Sequence, residues 1–342
     1  MNKQWQQWME ARRGRIDEKG GGDFPDASAQ VAAVRNGEAL ALLDNFRLIR
    51  VEGEDALSFL QGQLSSDIRE LEVGKAQYST YSNAKGRMLA SFLVWQCDGI
   101  YYLVLSADIA EAVARRLSMF IMRSKVKLTL MDADQFVLAG ARGDSLQRVI
   151  LQHFGAVEIN DLDILSTASE TVISLPCGGY FLLLSENSDL QRDLLQQSLT
   201  LVSPASWAIR DIDAGIAWVV LATQEQFVPQ MANMELIGAV SFKKGCYPGQ
   251  EIVARTQYLG KLKRRLFRVV FPHEVAVGSK LYSPELQDQA IGMVASVCPV
   301  ENSRYEGLVV VQSACWEKGV YLEPEFLHSL KCLDLPYSTQ DK

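Results

Sequence analysis

The chain is poor in residues that could build a metal centre or a disulfide framework from local sequence. Its six cysteines, at positions 97, 177, 246, 298, 315 and 332, include no CxxC pair. That excludes a zinc ribbon or a compact cross-linked scaffold and implies reduced thiols in a cytosolic setting. Its three histidines, His153, His273 and His328, lie in unrelated segments without an i, i+4 pair, so a histidine-based metal site is not expected. No apolar run approaches the roughly 18 residues of a membrane helix; the longest, such as Ala90–Trp95 and Gly307–Val311, have the length of strands. Met1–Arg15 carries Trp5, Trp8, Met9 and Arg12 at helical spacing, without the continuous apolar stretch of a secretory signal, and Glu10, Asp17 and Glu18 argue against a transit peptide. An excess of positive charge is also missing: 41 acidic against 34 basic residues leave a net charge of -7, which disfavours broad attachment to phosphates. The expectation is a cytoplasmic protein with no membrane partner and at most weak direct binding of nucleic acid.

What is present is an ordinary globular composition, 48% hydrophobic and 22% charged over 342 residues, enough for more than one core. The N-terminal segment reads as a short helix followed by a Gly20-Gly21-Gly22 linker. Phe46–Val51 then reads as a strand and Asp55–Ile68 as a helix. Gln77–Tyr81, Met88–Cys97 and Tyr101–Leu105 form an antiparallel meander with a hairpin at Asp98-Gly99. An amphipathic helix over Asp108–Phe120 and a strand over Lys125–Leu130 complete one unit. A second unit repeats the theme, with strands at 135–139, 171–175 and 180–184 and helices at 145–154 and 189–199. Ala205–Ala214 reads as a further helix. Beyond residue 260 the pattern changes to short strands, a small β-barrel that is partly open. The basic run Lys261, Lys263, Arg264, Arg265, Arg268 reads as an edge strand with charged gatekeepers. The fold class is α+β, divided into an N-terminal extension (1–38), a region of two packed α+β units (39–260, about 39–132 and 133–260) and a C-terminal β-barrel (261–335).

The segment from Ser241 to residue 260 carries the chemistry. Phe242 is expected to end a strand, Lys243 to Gly249 to form a glycine-rich turn, and Gln250–Tyr258 to form a helix stopped by Gly260. Cys246 stands just ahead of the helix N-terminus. Unpaired backbone N–H groups and the positive end of the helix dipole stabilise a thiolate there, and Lys243 and Lys244 would add to that, so its pKa is expected to fall. Cys97, Cys298, Cys315 and Cys332 sit in apolar strand-like runs and read as small core hydrophobes.

Lys244-Gly245-Cys246-Tyr247-Pro248-Gly249-Gln250-Glu251 matches K-G-C-[FYW]-x-G-Q-[ED], and on this stretch the chain resembles the YgfZ family. Leu60-Gln61-Gly62-Gln63-Leu64 with Asp67, Asn83-Ala84-Lys85-Gly86-Arg87, Asp213-Ala214-Gly215, and Phe227-Val228-Pro229-Gln230 with Asn233 resemble the same family in the same order. The resemblance implies a fold like the glycine-cleavage aminomethyltransferase, with a folate, tetrahydrofolate or a derivative, in a central cavity. Position matching places its two aromatic contacts at Phe46, where the family often has tryptophan, and Trp207; a flat pterin stacks favourably on such rings. It also implies a functional thiol at Cys246, with Lys244, Gly245, Tyr247, Gly249, Gln250 and Glu251 as supporting residues, and no resident metal. The implied role is accessory: assembly or repair of iron-sulfur enzymes, with tRNA-thiolating enzymes among the partners and tRNA thiomethylation as the downstream effect, without stand-alone catalysis. The alternative is a folate-dependent aminomethyl or formyl transferase, which needs an acid-base group at the reacting folate nitrogen. In the meander turn, where that reading wants a carboxylate, the chain has Asn83 and Lys85.

Overall fold

The structure is a computed structural model that describes residues 15–16, 22–23 and 26–339, except 134, 157, 186–187, 259–261, 287–288 and 302–303. The helix expected over Met1–Arg15 and the stop expected at Gly260 lie outside these residues, apart from Arg15. Arg15–Ile16 (β1) pairs with Gly22–Asp23 (β2), so Gly22 belongs to a strand where a linker was expected.

The first unit is a five-stranded antiparallel sheet in the order β5-β6-β7-β4-β8, from Phe46–Glu52 (β4), Ala76–Ser82 (β5), Met88–Cys97 (β6), Ile100–Ser106 (β7) and Lys127–Leu130 (β8). The β6–β7 hairpin turns at Asp98 and Gly99, both with positive φ (50° and 77°), the geometry that a two-residue hairpin loop demands. The helix Ala107–Ser118 buries Ile109, Val113 and Leu117, the apolar stripe its sequence announces. The helix expected over Asp55–Ile68 is shorter, Ala56–Gln61. Its chain leaves helical geometry after Gly62 because Leu64 bridges to Tyr81 and Ser65 N–H donates to the Thr80 carbonyl at 2.9 Å; sheet pairing overrides the helical spacing of Leu57, Leu60 and Leu64.

The second sheet has six strands in the order β10-β11-β12-β9-β3-β13, built from Ala39–Leu42 (β3), Phe136–Arg142 (β9), Ile164–Ser166 (β10), Glu170–Ser174 (β11), Tyr180–Ser185 (β12) and Thr200–Val202 (β13). β3, early in the chain, pairs antiparallel with β9 and parallel with β13, which locks the two units together. The helix Pro204–Asp213 follows, capped by the Ser203 hydroxyl, which accepts from Ser206 N–H, and started by Pro204. Trp207 on this helix is 3% exposed. Its indole lies on the backbone of β9: a Cβ on Gly140 would stand 2.2 Å from Trp207 Cε2. Gly140→Ala is therefore expected to lower stability by about 3 kcal/mol through overpacking, read by denaturant unfolding; an unchanged midpoint would mean that the indole has room to move.

The C-terminal sheet, in the order β15-β16-β17-β14-β18, comprises Arg264–Phe271 (β14), Lys280–Leu281 (β15), Gly292–Glu301 (β16), Arg304–Gln312 (β17) and Lys331–Leu333 (β18). Its two edges are linked through Tyr321, which bridges to Tyr282 beside β15 and to Ser329 beside β18. The sheet thus curls into the expected small barrel. β14 is flanked by β17 and β18 and is not the edge strand that its charges suggested. Those charges are used internally. Arg265 pairs with Glu235, and Arg268 reaches Asp213 at 2.7 Å and Glu306 at 2.8 Å. Arg35, on the helix Ala27–Asn36, also reaches Asp213 (2.8 Å) and Glu306 (2.7 Å). This four-residue cluster ties the first helix, the Asp213-Ala214-Gly215 turn and the barrel together. Neighbouring Gly215 has φ +68°, and a Cβ there would lie 2.5 Å from the Tyr337 hydroxyl, which donates to the Gly215 carbonyl at 2.7 Å.

Candidate functional site

The site is assembled from four segments far apart in sequence. Lys244, 5% exposed, turns its ammonium inward and donates to the carbonyls of Gln61 (2.7 Å), Leu64 (2.5 Å) and Ser66 (2.9 Å). The same ammonium lies 5.2 Å from the centre of the Tyr247 ring, within cation–π range. Burial lowers its pKa to about 8 and pushes the Tyr247 hydroxyl up to about 12. Gln250 closes the loop by donating from Nε2 to the Lys244 carbonyl at 3.2 Å. The helix Gln250–Tyr258 starts there, as expected from sequence. Phe242 lies in no strand: Ser241 N–H instead donates to the Ser65 carbonyl at 2.9 Å, so the segment is held by single bonds to the 60–66 turn and not by a ladder.

Gly249 seats this loop on the 83–87 turn, with φ +79° and a would-be Cβ 2.4 Å from the Asn83 carbonyl oxygen. The turn is shaped by Asn83, whose Oδ1 accepts from Lys85 N–H (2.9 Å) and Arg87 N–H (3.1 Å) while Nδ2 donates to Glu225 Oε1 at 3.0 Å. Asn83 is thus a turn builder, not a proton acceptor. Arg87 donates to the Gln226 carbonyl, and Met88 N–H to the Phe227 carbonyl at 2.9 Å. Gln230 Nε2 donates to the Val253 carbonyl (2.7 Å) and Asn233 Nδ2 to the Leu266 carbonyl (3.0 Å). Four of the five resembling segments, 60–67, 83–87, 227–233 and 244–251, therefore meet at this junction, while Asp213-Ala214-Gly215 lies in the Arg35–Arg268–Glu306 cluster. A groove of about 650 Å³ beside it is lined by Asn83, Ala84, Lys85, Arg87, Arg116, Glu225 and Gln226. Glu225, held at φ +60°, supplies a carboxylate that sequence reading did not place near Asn83.

Cys246 and Gly245 are exposed on the surface of this loop, as is Glu251. The expectation that both lysines face the thiol is corrected for Lys244, whose charge is committed to three carbonyls; Lys243 is exposed. Among the other thiols, Cys298 and Cys315 are buried as expected, and burial pushes Cys298 up to about 12. Cys332 is exposed and Cys97 half-buried: Cys332 lies in the short edge strand β18, and Cys97 is the last residue of β6.

Phe46 and Trp207 belong to the central core rather than to the Cys246 loop. Phe46, 8% exposed, meets Trp218 edge-on with centroids 4.7 Å apart, and Tyr78 meets the same indole at 6.3 Å. Trp218 is half-buried and donates from Nε1 to Asp211 Oδ2 at 3.0 Å; Asp211 also pairs with Arg210. Burial pushes the Tyr78 hydroxyl up, and the Arg210 charge partly opposes that. Sequence reading missed Trp218, although its position three residues beyond Gly215 was the available signal.

The family described as the GCVT N-terminal domain matches residues 8–173. The tRNA-modifying protein YgfZ of Klebsiella pneumoniae is 26% identical over 308 residues, covering 88% of this chain and 94% of its own. Its namesake in Pectobacterium carotovorum is 29% identical over 246 residues, 71% of this chain and 72% of its own. Among solved structures, the glycine cleavage system aminomethyltransferase T from Bartonella henselae superposes with a TM-score of 0.77 at 18% identity, covering 96% of this chain and 94% of its own.

Proposed function

Taking as premise that the chain belongs to the YgfZ family and carries the aminomethyltransferase fold, we propose that it is a folate-binding accessory protein acting in tRNA modification through the upkeep of iron-sulfur enzymes, with Cys246 as its working thiol. The observation that carries this reading is the junction itself. Four separate segments converge to anchor a loop whose cysteine is left exposed, while the neighbouring lysine is spent on holding it. A buried ammonium and a glycine wedged against backbone are costly features, and a loop that served only as a connection would not need them. An exposed thiol on a fixed loop can attack a folate-borne one-carbon unit or ligate a cluster in transit.

Folate is taken to lie against the Phe46–Trp218 edge, and Trp207, the other aromatic position that the resemblance implies, is packed on the backbone of β9. Phe46 and Trp218 offer aromatic surface, and Asp211 offers the polar group that orients a heterocycle. Tetrahydrofolate and its derivatives are the ligand class. Iron-sulfur enzymes, including those that thiolate tRNA, are the partners, and the cytoplasm is the compartment. The net charge of -7 and the internal use of Arg265 and Arg268 favour an indirect effect on tRNA over direct binding. The transferase reading loses its general base at Asn83, and Glu225, the carboxylate beside it, is exposed.

The test is complementation of a YgfZ-deficient bacterium by the wild type and by Cys246→Ser. The readouts are iron-sulfur enzyme activity and tRNA thiomethylation, with folding of the variant verified by its unfolding midpoint. Wild type is expected to restore both and Cys246→Ser neither. Equal restoration by the serine variant would remove the thiol from the mechanism.

A further inference from the structure

Two of the three histidines, separated in sequence and without a helical partner, come together at the rim of the barrel. β14 and β18 pair as Arg268 with Leu333, Val269 with Cys332 and Val270 with Lys331; carried three residues further, this register sets His273 opposite His328. Their rings pack edge-on with centroids 5.4 Å apart. Between them comes Glu323, whose Oε1 is 2.9 Å from His273 Nε2 and 3.4 Å from His328 Nδ1. Its second oxygen, Oε2, is shielded from water and has no hydrogen-bond partner among the described residues. The three ligand atoms, one from each residue, lie within 4.8 Å of one another.

We propose that His273, Glu323 and His328 form a binding site for a borderline divalent transition ion of the Zn2+ type. Two imidazoles and one carboxylate are a donor set that such ions take, and three protein ligands leave a fourth position to water. Zinc bonds to nitrogen and oxygen run about 2.0–2.2 Å, so the ligand atoms of a tetrahedral site stand about 3.3 Å apart. The separations of Glu323 Oε1 from the two imidazole nitrogens, 2.9 Å and 3.4 Å, differ from that by only a few tenths of an ångström. The side chains are between a quarter and a half exposed, His273 at 46% and His328 at 51%, so an ion can enter without opening the core. The carbonyl of Glu274 lies 3.0 Å from His273 Nδ1. A carbonyl can only accept, so Nδ1 donates its N–H there and leaves Nε2 free to ligate, the arrangement that orients imidazole ligands.

The site has a structural consequence. Glu323 and His328 lie within the 321–329 segment that closes the barrel through Tyr321, held there by the Tyr282 and Ser329 bridges. An ion bound also to His273 would clip this segment to the end of β14, and binding to the folded state alone raises stability by mass action.

The experiment titrates Co2+, and then Zn2+ in competition, into the EDTA-treated full chain without an affinity tag. It follows the visible d–d absorption and the unfolding midpoint, and repeats both with His273→Ala, with Glu323→Gln and with the double variant His273→Ala, His328→Ala. The expected result is one ion per chain, a tetrahedral cobalt spectrum without a thiolate charge-transfer band, and a midpoint that rises with Zn2+. His273→Ala and Glu323→Gln should each weaken binding by more than about tenfold, and the double histidine variant should weaken it further. Absence of binding below millimolar metal, a thiolate band, or unchanged binding in the double variant would overturn the assignment. Both histidine side chains are about half exposed and Glu323→Gln keeps the shape of the side chain, so the variants retain the fold and each outcome is readable.

Discussion

Replacing Lys244 with Met is expected to lower stability by about 3 kcal/mol at pH 7, the net of two large opposing effects. Three carbonyls, those of Gln61, Leu64 and Ser66, lose a charged donor, and hydrogen bonds to a charged group are each worth about 1.5–3 kcal/mol net. Against this, methionine no longer requires an ammonium to be taken out of water. The pKa of Lys244 falls from 10.5 to about 8 through burial, and at about 1.4 kcal/mol per pKa unit that relief is about 3 kcal/mol. The bonds win because there are three of them. The pH dependence separates the two effects. Between pH 8 and 10.5 the folded chain gives up this proton before the unfolded chain does, so the unfolded state binds more protons and wild-type stability rises with pH. The contribution is fully present above 10.5 and is lost as pH falls through 8. The stability gap between wild type and Lys244→Met should therefore widen between pH 7.5 and 10, measured as denaturant midpoints of both proteins at each pH. A gap that narrowed would mean that the charged form is the favoured one and that the carbonyl cradle outweighs burial.

The architecture was legible where the local signal agreed with the tertiary outcome. Met88–Cys97 and Gln250–Tyr258 occupy the residues expected of them, the first from a long run of β-formers ending at Asp98-Gly99, the second from the glycines that bound it. Elements whose existence depends on partners were missed. β3 and β13 are four and three residues long and carry no periodicity of their own; β3 exists because β9 and β13 flank it, and β13 because β3 completes its ladder. The helix Ala27–Asn36 shows only Val31 and Val34 as buried aliphatics, too weak a stripe to read. At the site, the motif residues were visible as a string, but their division of labour was not. That Lys244 would face three carbonyls and not the thiol depends on the 60–66 turn, nearly two hundred residues earlier in the chain. The histidine cluster escaped for the same reason. A search for i, i+4 spacing finds ligands on one helix, whereas His273 and His328 meet across a strand pair.

The motif's two glycines are expected to respond in opposite ways, which tests whether the seat of the loop, and not the composition of the motif, sustains Cys246. Gly249 has φ +79°, a conformation that an L side chain adopts at a cost of about 1–2 kcal/mol. A Cβ there would lie 2.4 Å from the Asn83 carbonyl oxygen, 2.6 Å from Gly86 Cα and 2.7 Å from Gly86 N. All three are backbone atoms of a turn already fixed by the Asn83 side chain, so nothing flexible can yield. Gly245 is different: its φ lies outside the left-handed region and a Cβ would meet nothing within 4 Å. Gly249→Ala should therefore lose about 3 kcal/mol, the dihedral cost plus overpacking, and lift the loop from the turn. Gly245→Ala should stay within about 0.5 kcal/mol of wild type, as an exposed substitution that strains nothing. In the complementation assay Gly249→Ala should fail alongside Cys246→Ser while Gly245→Ala succeeds. Failure of Gly245→Ala with an unchanged unfolding midpoint would point instead to a partner that approaches the backbone beside Cys246, since the fold itself leaves that space empty.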